Sequence, residues 1–227
     1  MKKLNVCVLF GGVSPEHDVS LRSAEAVLNN LDKAKYEIIP VGITKTGRWL
    51  LYGSTDYSKL PNGDWQICPD NHPAAIAPAF GASLLVANGD TMTTRQIDVV
   101  FPVLHGENGE DGAMQGLLQL AGIPYVGPHV AASAIAMDKT LTKLVADQAK
   151  VTQAAWKLVR RGDLGNRLEQ TLDMLEATFA YPMFVKPSGT GSSVGVSKAT
   201  DRVKLEKALR DAAVYDEKVL VEEFIAG

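Results

Sequence analysis

The amino-acid sequence predicts an α/β fold in two parts, an open parallel-sheet domain over residues 1–128 and an α+β domain over residues 129–227. Three observations predict it. The apolar runs 5–10 and 97–104 each lead into a polar, glycine-containing loop and then a helical pattern, as strand, loop and helix do in open α/β sheets. Gly127 and Pro128 punctuate the chain after a last apolar run, 123–126. Beyond them two helical stretches come first, and short strands separated by a helix follow, which suits a second layered domain.

Taken in order, residues 5–10 end as a strand at Gly11 and Gly12, and residues 20–31 carry apolar side chains at helical spacing. Residues 36–43 are rich in Ile and Val, so the intervening helix reads as a crossover between parallel neighbours. Pro40 within that run argues for an edge strand, because proline cannot donate to a ladder. Residues 44–90 are broken by Gly, Pro, Asn and Asp, with short strand candidates at 49–52 and 83–86. The strand 97–104 is followed by the loop 105–112 and a helix over 113–121. In the second part, helices are expected at 131–136 and 141–149, and strands at 155–159 and 183–186 flank a helix over 167–178. A glycine-rich loop, 187–195, leads into a strand at 196–198, a helix over 203–215 and a strand at 218–222. The stretch 219–224 reads equally as an edge strand or as a strand offering backbone and a ring to a planar base.

With 46% hydrophobic and 22% charged residues, the 227-residue chain can fill its cores, so overall disorder is excluded. A net charge of -3, without a local basic patch, argues against a nucleic-acid partner. Cys7 and Cys68 are too few for a disulfide framework and lack zinc-site spacing, so both are expected as reduced thiols. The apolar run 6–10 after a basic start is too short for a signal core or a membrane span, so no membrane partner and a cytoplasmic location are expected.

Three loops carry chemistry. Residues 11–20 hold Glu16, His17 and Asp18 at a strand's carboxyl end, where such sheets bind ligands. Only Gly11 and Gly12 precede a proline and an acid, which does not match the dinucleotide fingerprint. The plainer account is that Asp18 or Ser20 caps the helix and Glu16 is solvated. The second loop, from His105 to Gly112, projects from the same sheet edge; alternatively it is a turn whose Glu110 and Asp111 favour the next helix start. In the third, Lys186 precedes a loop with Gly189, Gly191 and Gly195, whose backbone can approach phosphate oxygens while Ser192 and Ser193 add donors. The order differs from the Walker pattern, where lysine comes last, and the alternative is a flexible hairpin tip. That alternative leaves Lys186, at the end of a buried strand, in need of another partner. Lys139 at a helix start likewise requires an anionic partner.

Read together and in order, FGGVSPEHDVS, FPVLHGENGEDGAMQG, MDKTLTKLV, FVKPSGTGSSVGVSK and VLVEEFIAG resemble segments of the D-alanine:D-alanine ligases of the ATP-grasp superfamily. The resemblance spans nearly the whole chain. It implies a Rossmann-like pre-ATP-grasp domain and a partial ATP-grasp domain. It also implies an ATP-dependent reaction in which one D-alanine carboxylate is phosphorylated and a second D-alanine's amine displaces the phosphate, for peptidoglycan precursors. On this resemblance Glu16 binds the first ammonium, His105 lies near that substrate's carboxylate, and Ser192 hydrogen-bonds Glu16; Glu16 and Ser192 are the catalytic pair. Lys139 and Lys186 meet ATP phosphates under a loop of Gly191, Ser192, Ser193, Val194 and Gly195. Glu222, Glu223, Phe224 and Ile225 line the adenine.

The resemblance further implies Mg2+ or Mn2+ and a homodimer through the amino-terminal domain. It also implies that the chain stops, at Gly227, before most of the family's third domain. Metal ligands, an arginine and the loop choosing D-alanine, D-lactate or D-serine are expected there, so no metal ligand is named and this polypeptide alone is expected to be inactive. Two other readings stand beside it. A different ATP-grasp carboxylate:amine ligase would keep Lys139, Lys186 and the glycine loop without needing Glu16. A non-catalytic binding module would leave the substrate-side motifs unexplained.

Overall fold

The computed structural model describes residues 2–226, apart from the side chain of Phe80; the expected end point, Gly227, lies outside the described residues. The chain divides into two compact units, Met1–Ser133 and Ala134–Gly227, a few residues beyond the Gly127 and Pro128 pair.

The first unit contains β1 (Leu4–Gly11), α1 (His17–Asn30), β2 (Tyr36–Ile43), β3 (Trp49–Leu51), β4 (His72–Ile76), β5 (Ser83–Asn88), β6 (Thr91–Gln96), β7 (Val99–Leu104) and α2 (Ala113–Leu120). They form a seven-stranded sheet ordered β6-β5-β4-β3-β2-β1-β7. The sheet is mixed: β2, β1 and β7 run parallel, whereas β3 to β6 extend it as an antiparallel meander. The run 123–126 contributes a parallel bridge between Val100 and Tyr125 on the far side of β7.

Successive residues of β1 alternate between two cores, which is why its sequence is continuously apolar. Val6, Val8 and Phe10 pack with Leu21, Ala24 and Leu28 of α1, while Cys7 and Leu9 pack with Met114 and Leu118 of α2. Fully burying each of these larger side chains stabilises the fold by about 1.5–3 kcal/mol. Trp65 fills the α1 side with its ring edge-on to Phe10 at 5.0 Å.

Pro40 does not mark an edge, since β2 lies between β1 and β3. Its carbonyl accepts from the Tyr52 amide at 2.8 Å, so its missing N–H faces the β3 side. The β3 ladder covers only Val41 to Ile43, and the β1 ladder loses nothing. The first helix also starts earlier than its apolar spacing predicts, at His17. Consequently neither Asp18 nor Ser20 is its cap: Glu16 occupies that position, Asp18 pairs with Lys45 at 3.0 Å, and Ser20 is buried.

Helix α3 (Val130–Met137) spans the division, and the second unit continues with α4 (Lys139–Gln148), β8 (Trp156–Arg160), α5 (Leu168–Thr178), β9 (Met183–Pro187), β10 (Ser197–Ala199), α6 (Arg202–Tyr215) and β11 (Lys218–Glu223). Its sheet is ordered β10-β9-β11-β8, with every neighbouring pair antiparallel. Thus β11 is an interior strand, not an edge. Met183 and Val185 of β9 and Val219 and Val221 of β11 join Leu172, Leu175, Leu205 and Leu209 in one core. The two-residue period therefore sends Phe184, Lys186, Leu220 and Glu222 to the opposite face. No helix among the described residues is long and apolar enough to cross a membrane.

Candidate functional site

In the first unit the chain turns out of β1 through Gly11 and Gly12, at φ +87° and +105°, a region side chains rarely adopt. Ser20 fixes this turn: its Oγ accepts from the Gly11 amide at 2.8 Å and donates to the Val103 carbonyl, joining β1 to β7. The buried His17 ring donates from Nδ1 to the Gly12 carbonyl at 2.6 Å, and its Nε2 has no hydrogen-bond partner among the described residues. Ser14 Oγ accepts from the Glu16 amide at 3.0 Å, so the half-buried Glu16 sits on a braced loop.

The loop after β7 meets it there. Gly106, at φ +71°, leaves so little room that a Cβ would lie 2.5 Å from both Glu16 Oε2 and Ser14 Oγ. Its amide donates to Glu110 Oε2 at 2.7 Å, while Asp111 accepts from the Asn108 and Ala113 amides at 2.8 and 3.0 Å. Asp111 therefore holds the α2 start, as the plainer account expected of it, whereas Glu110 braces the loop itself. His105 Nε2 lies 3.1 Å from Ser23 Oγ of α1. A cavity of about 280 Å3 opens at the carboxyl ends of β1, β2 and β7, lined in part by Gly12, Val13, Trp49, Leu104, His105 and Met114.

In the second unit Asp138 caps α4, accepting from the Thr140 and Leu141 amides at 2.9 and 3.1 Å. It also takes the Ser188 hydroxyl at 2.6 Å and pairs with Lys218, so α4 is tied to the end of β9. Lys139 Nζ donates to the carbonyls of Pro187, Ser188 and Thr190, at 3.2 and 3.4 Å for the first two. Its partners are thus carbonyl oxygens, not an anion. Burial, and then the neighbouring Lys186 charge, lowers its affinity for a proton below the usual lysine range.

Lys186 reaches Glu222 Oε2, and its ammonium lies 5.8 Å from the Phe184 ring centroid. Glu222 therefore supplies the partner that a lysine ending a buried strand requires. The loop beyond β9 links antiparallel neighbours as a hairpin, with Ser192 and Ser193 both left-handed at φ +46° and +59°. A Cβ on Gly195 would meet Pro187 and Tyr215 at 2.6 and 2.8 Å, which explains a glycine there. Val194 closes the turn by donating to the Gly191 carbonyl at 3.1 Å. A cavity of about 380 Å3 is lined by Lys139, Phe184, Lys186, Thr190, Gly191, Ser192, Ser193 and Val196.

Of the remaining expected residues, Glu223 accepts from the Ala155 amide at 2.7 Å, and Ile225 is exposed. Phe224 stacks on Phe184 at 6.1 Å beneath the Lys198 ammonium. Ser14, Gly106, Lys143 and Phe184 were not singled out from sequence. Lys143 had a signal, since it lies one helical turn after Lys139 on the same face. No three His, Cys, Asp or Glu side chains converge as a metal-holding group among the described residues.

Residues 5–128 match the family model for the D-ala D-ala ligase N-terminus, and residues 145–227 match the D-ala D-ala ligase C-terminus. A D-alanine--D-alanine ligase of Ruminiclostridium cellulolyticum is 46% identical over 100% of this chain and 62% of its own length. One from Caldicellulosiruptor bescii is 46% identical over 99% of this chain and 61% of its own. The chain thus spans about 62% of the length of such a relative. Among solved structures, the VanG D-Ala:D-Ser ligase of Enterococcus faecalis superposes with a TM-score of 0.90 at 36% identity, over 100% of this chain and 64% of that one. The D-alanine-D-alanine ligase of Coxiella burnetii gives 0.85 at 33% identity, over 100% and 63%. By these matches in sequence and fold, the chain belongs to the D-alanine--D-alanine ligase family.

Proposed function

We propose that this chain carries the first-substrate and nucleotide sites of an ATP-dependent ligase that joins two D-alanines. The observation that carries the reading is the meeting of the Glu16 and His105 loops at the carboxyl ends of the adjacent parallel strands β1 and β7. A carboxylate held there suits the ammonium of a small amino acid, and His105 suits its carboxylate. An enzyme whose carboxylic acid substrate lacks an ammonium would have no need of Glu16 at this point.

In the second unit Lys139 and Lys186 serve the phosphates of ATP, covered by Gly191, Ser192, Ser193, Val194 and Gly195. Glu222, Glu223, Phe224 and Ile225 flank the base, a role that the stacked Phe184 and Phe224 rings support. In the reaction a substrate carboxylate oxygen bonds to the γ-phosphorus as the bond to ADP breaks. The second amine then bonds to the acyl carbon, expels phosphate and gives up a proton. The contribution of these residues is positioning and charge stabilisation. A divalent cation is implied by the family, yet the described acids do not form a set that would hold one, so no step is assigned to it. The likeness to a D-Ala:D-Ser ligase favours D-serine as the second reading for the incoming amino acid. A cytoplasmic location and a homodimer through the first unit complete the proposal, and light scattering tests the latter.

The decisive experiment is phosphate release from ATP by this chain and by the longest reading frame containing it, with and without D-alanine. D-alanine-dependent release supports the ligase. A folded long form without that dependence points to another ATP-grasp ligase or to a binding module.

A further inference from the structure

Glu222 is 7% exposed, and its two carboxylate oxygens take different lysines. Oε1 pairs with Lys143 Nζ of α4 at 2.7 Å, and Oε2 pairs with Lys186 Nζ of β9. Burial opposes ionisation of Glu222, but the two lysines outweigh it and hold the carboxyl below its ordinary range. The lysines differ in one respect. Lys186 borders the cavity together with Lys139, whereas Lys143 is not among its lining residues and is anchored to the Ala154 carbonyl at 3.2 Å.

An ammonium that moves to a phosphate leaves its resting partner behind. Were Lys186 the sole partner of Glu222, its departure would strand a buried carboxylate, which is costly. Lys143, held by the Ala154 carbonyl, would stay with Glu222 if Lys186 left it. We propose that Lys143 is a positioning residue for nucleotide binding: by keeping Glu222 compensated from the side away from the cavity, it allows Lys186 to transfer to phosphate. The proposal rests on the nucleotide site described above.

The test is ATP affinity, measured by calorimetry on the full-length protein, in a cycle of Lys143→Met, Glu222→Gln and the double variant. Lys143→Met is expected to weaken ATP roughly 10- to 100-fold, the scale of leaving a buried charged group uncompensated, and D-alanine binding is expected to stay unchanged. In the Glu222→Gln background the same substitution is expected to change ATP affinity less than about threefold, because no carboxylate remains to be stranded. Lys143→Arg, which keeps the charge, is expected to retain most of the affinity.

A Lys143→Met protein that binds ATP like its parent overturns the proposal, as does a loss that Glu222→Gln does not relieve. If Lys143→Met does not fold, the double variant carries the test: weaker ATP binding than Glu222→Gln alone overturns the proposal. A parent protein that binds no ATP overturns the nucleotide reading, and this inference with it.

Discussion

Replacing Gly106 by alanine probes the substrate side at its tightest point. The added methyl would lie 2.5 Å from Glu16 Oε2 and Ser14 Oγ, whereas ordinary contact begins at 3.4 Å. The Glu16 carboxylate must therefore retreat by roughly 1 Å, a displacement that can cost on the order of 100-fold when a bound group is to be oriented for reaction. Gly106 also sits at φ +71°, so alanine adds roughly 1 kcal/mol of left-handed strain. In a protein of this size that lowers Tm by about 2–4 °C and leaves the fold intact. The assay is D-alanine-dependent phosphate release by the full-length protein, with KM for D-alanine and for ATP determined separately. A large rise in the D-alanine constant with little change for ATP is expected. If Tm falls as stated while the D-alanine constant stays at its parent value, the assignment of Glu16 to the first substrate is wrong.

Other outcomes follow from the same geometry. Glu16→Gln should impair use of the first D-alanine far more than ATP, and Lys186→Ala the reverse, as steady-state kinetics will show. Ser20→Ala leaves the buried Gly11 amide and Val103 carbonyl without their shared hydroxyl, so urea denaturation should show a loss of about 1–3 kcal/mol. Burial pushes the Cys7 thiol up to about 12, so a thiol reagent at pH 8 should label Cys68 and leave Cys7 unmodified until denaturant is added. The Glu222 carboxyl, held below its ordinary value of 4.5, contributes stability that is complete above that value and lost as pH falls through the depressed one. Acid titration of Glu222→Gln should therefore show a weaker decline over that window than the parent.

Much of this was legible in the residues, for identifiable reasons. The strands β1, β2 and β7 are covered on both faces, so their apolar runs stand out, and the polar loops after β1 and β7 mark the sheet edge where the cavity opens. By contrast β6 is largely exposed and carries no alternation, and β4 contains Pro73, so neither announces itself as a strand. Pro40 misled because the rule concerns the ladder a proline interrupts, and here that ladder is too short to reach it. At the candidate site, loops following strands drew attention to Glu16 and His105, a helix start to Lys139 and a strand end to Lys186. The bond between Lys143 and Glu222 was hidden, since it depends on β11 lying between β8 and β9 with α4 against the face away from α5 and α6. Gly106 was equally silent: a glycine's role depends on what its missing side chain would strike.

Both ends of the glycine-rich loop are fastened to one short stretch of chain. Its entry is held where the Gly189 amide donates to Asp216 at 2.6 Å, and its exit is wedged where Gly195 faces Tyr215. Between these two posts the loop has a further tie, from the Thr190 carbonyl to Lys139, so its anchorage is shared between α4 and the bend that joins α6 to β11. Substitutions at Tyr215 or Asp216, which do not line the cavity, would therefore loosen the loop that does.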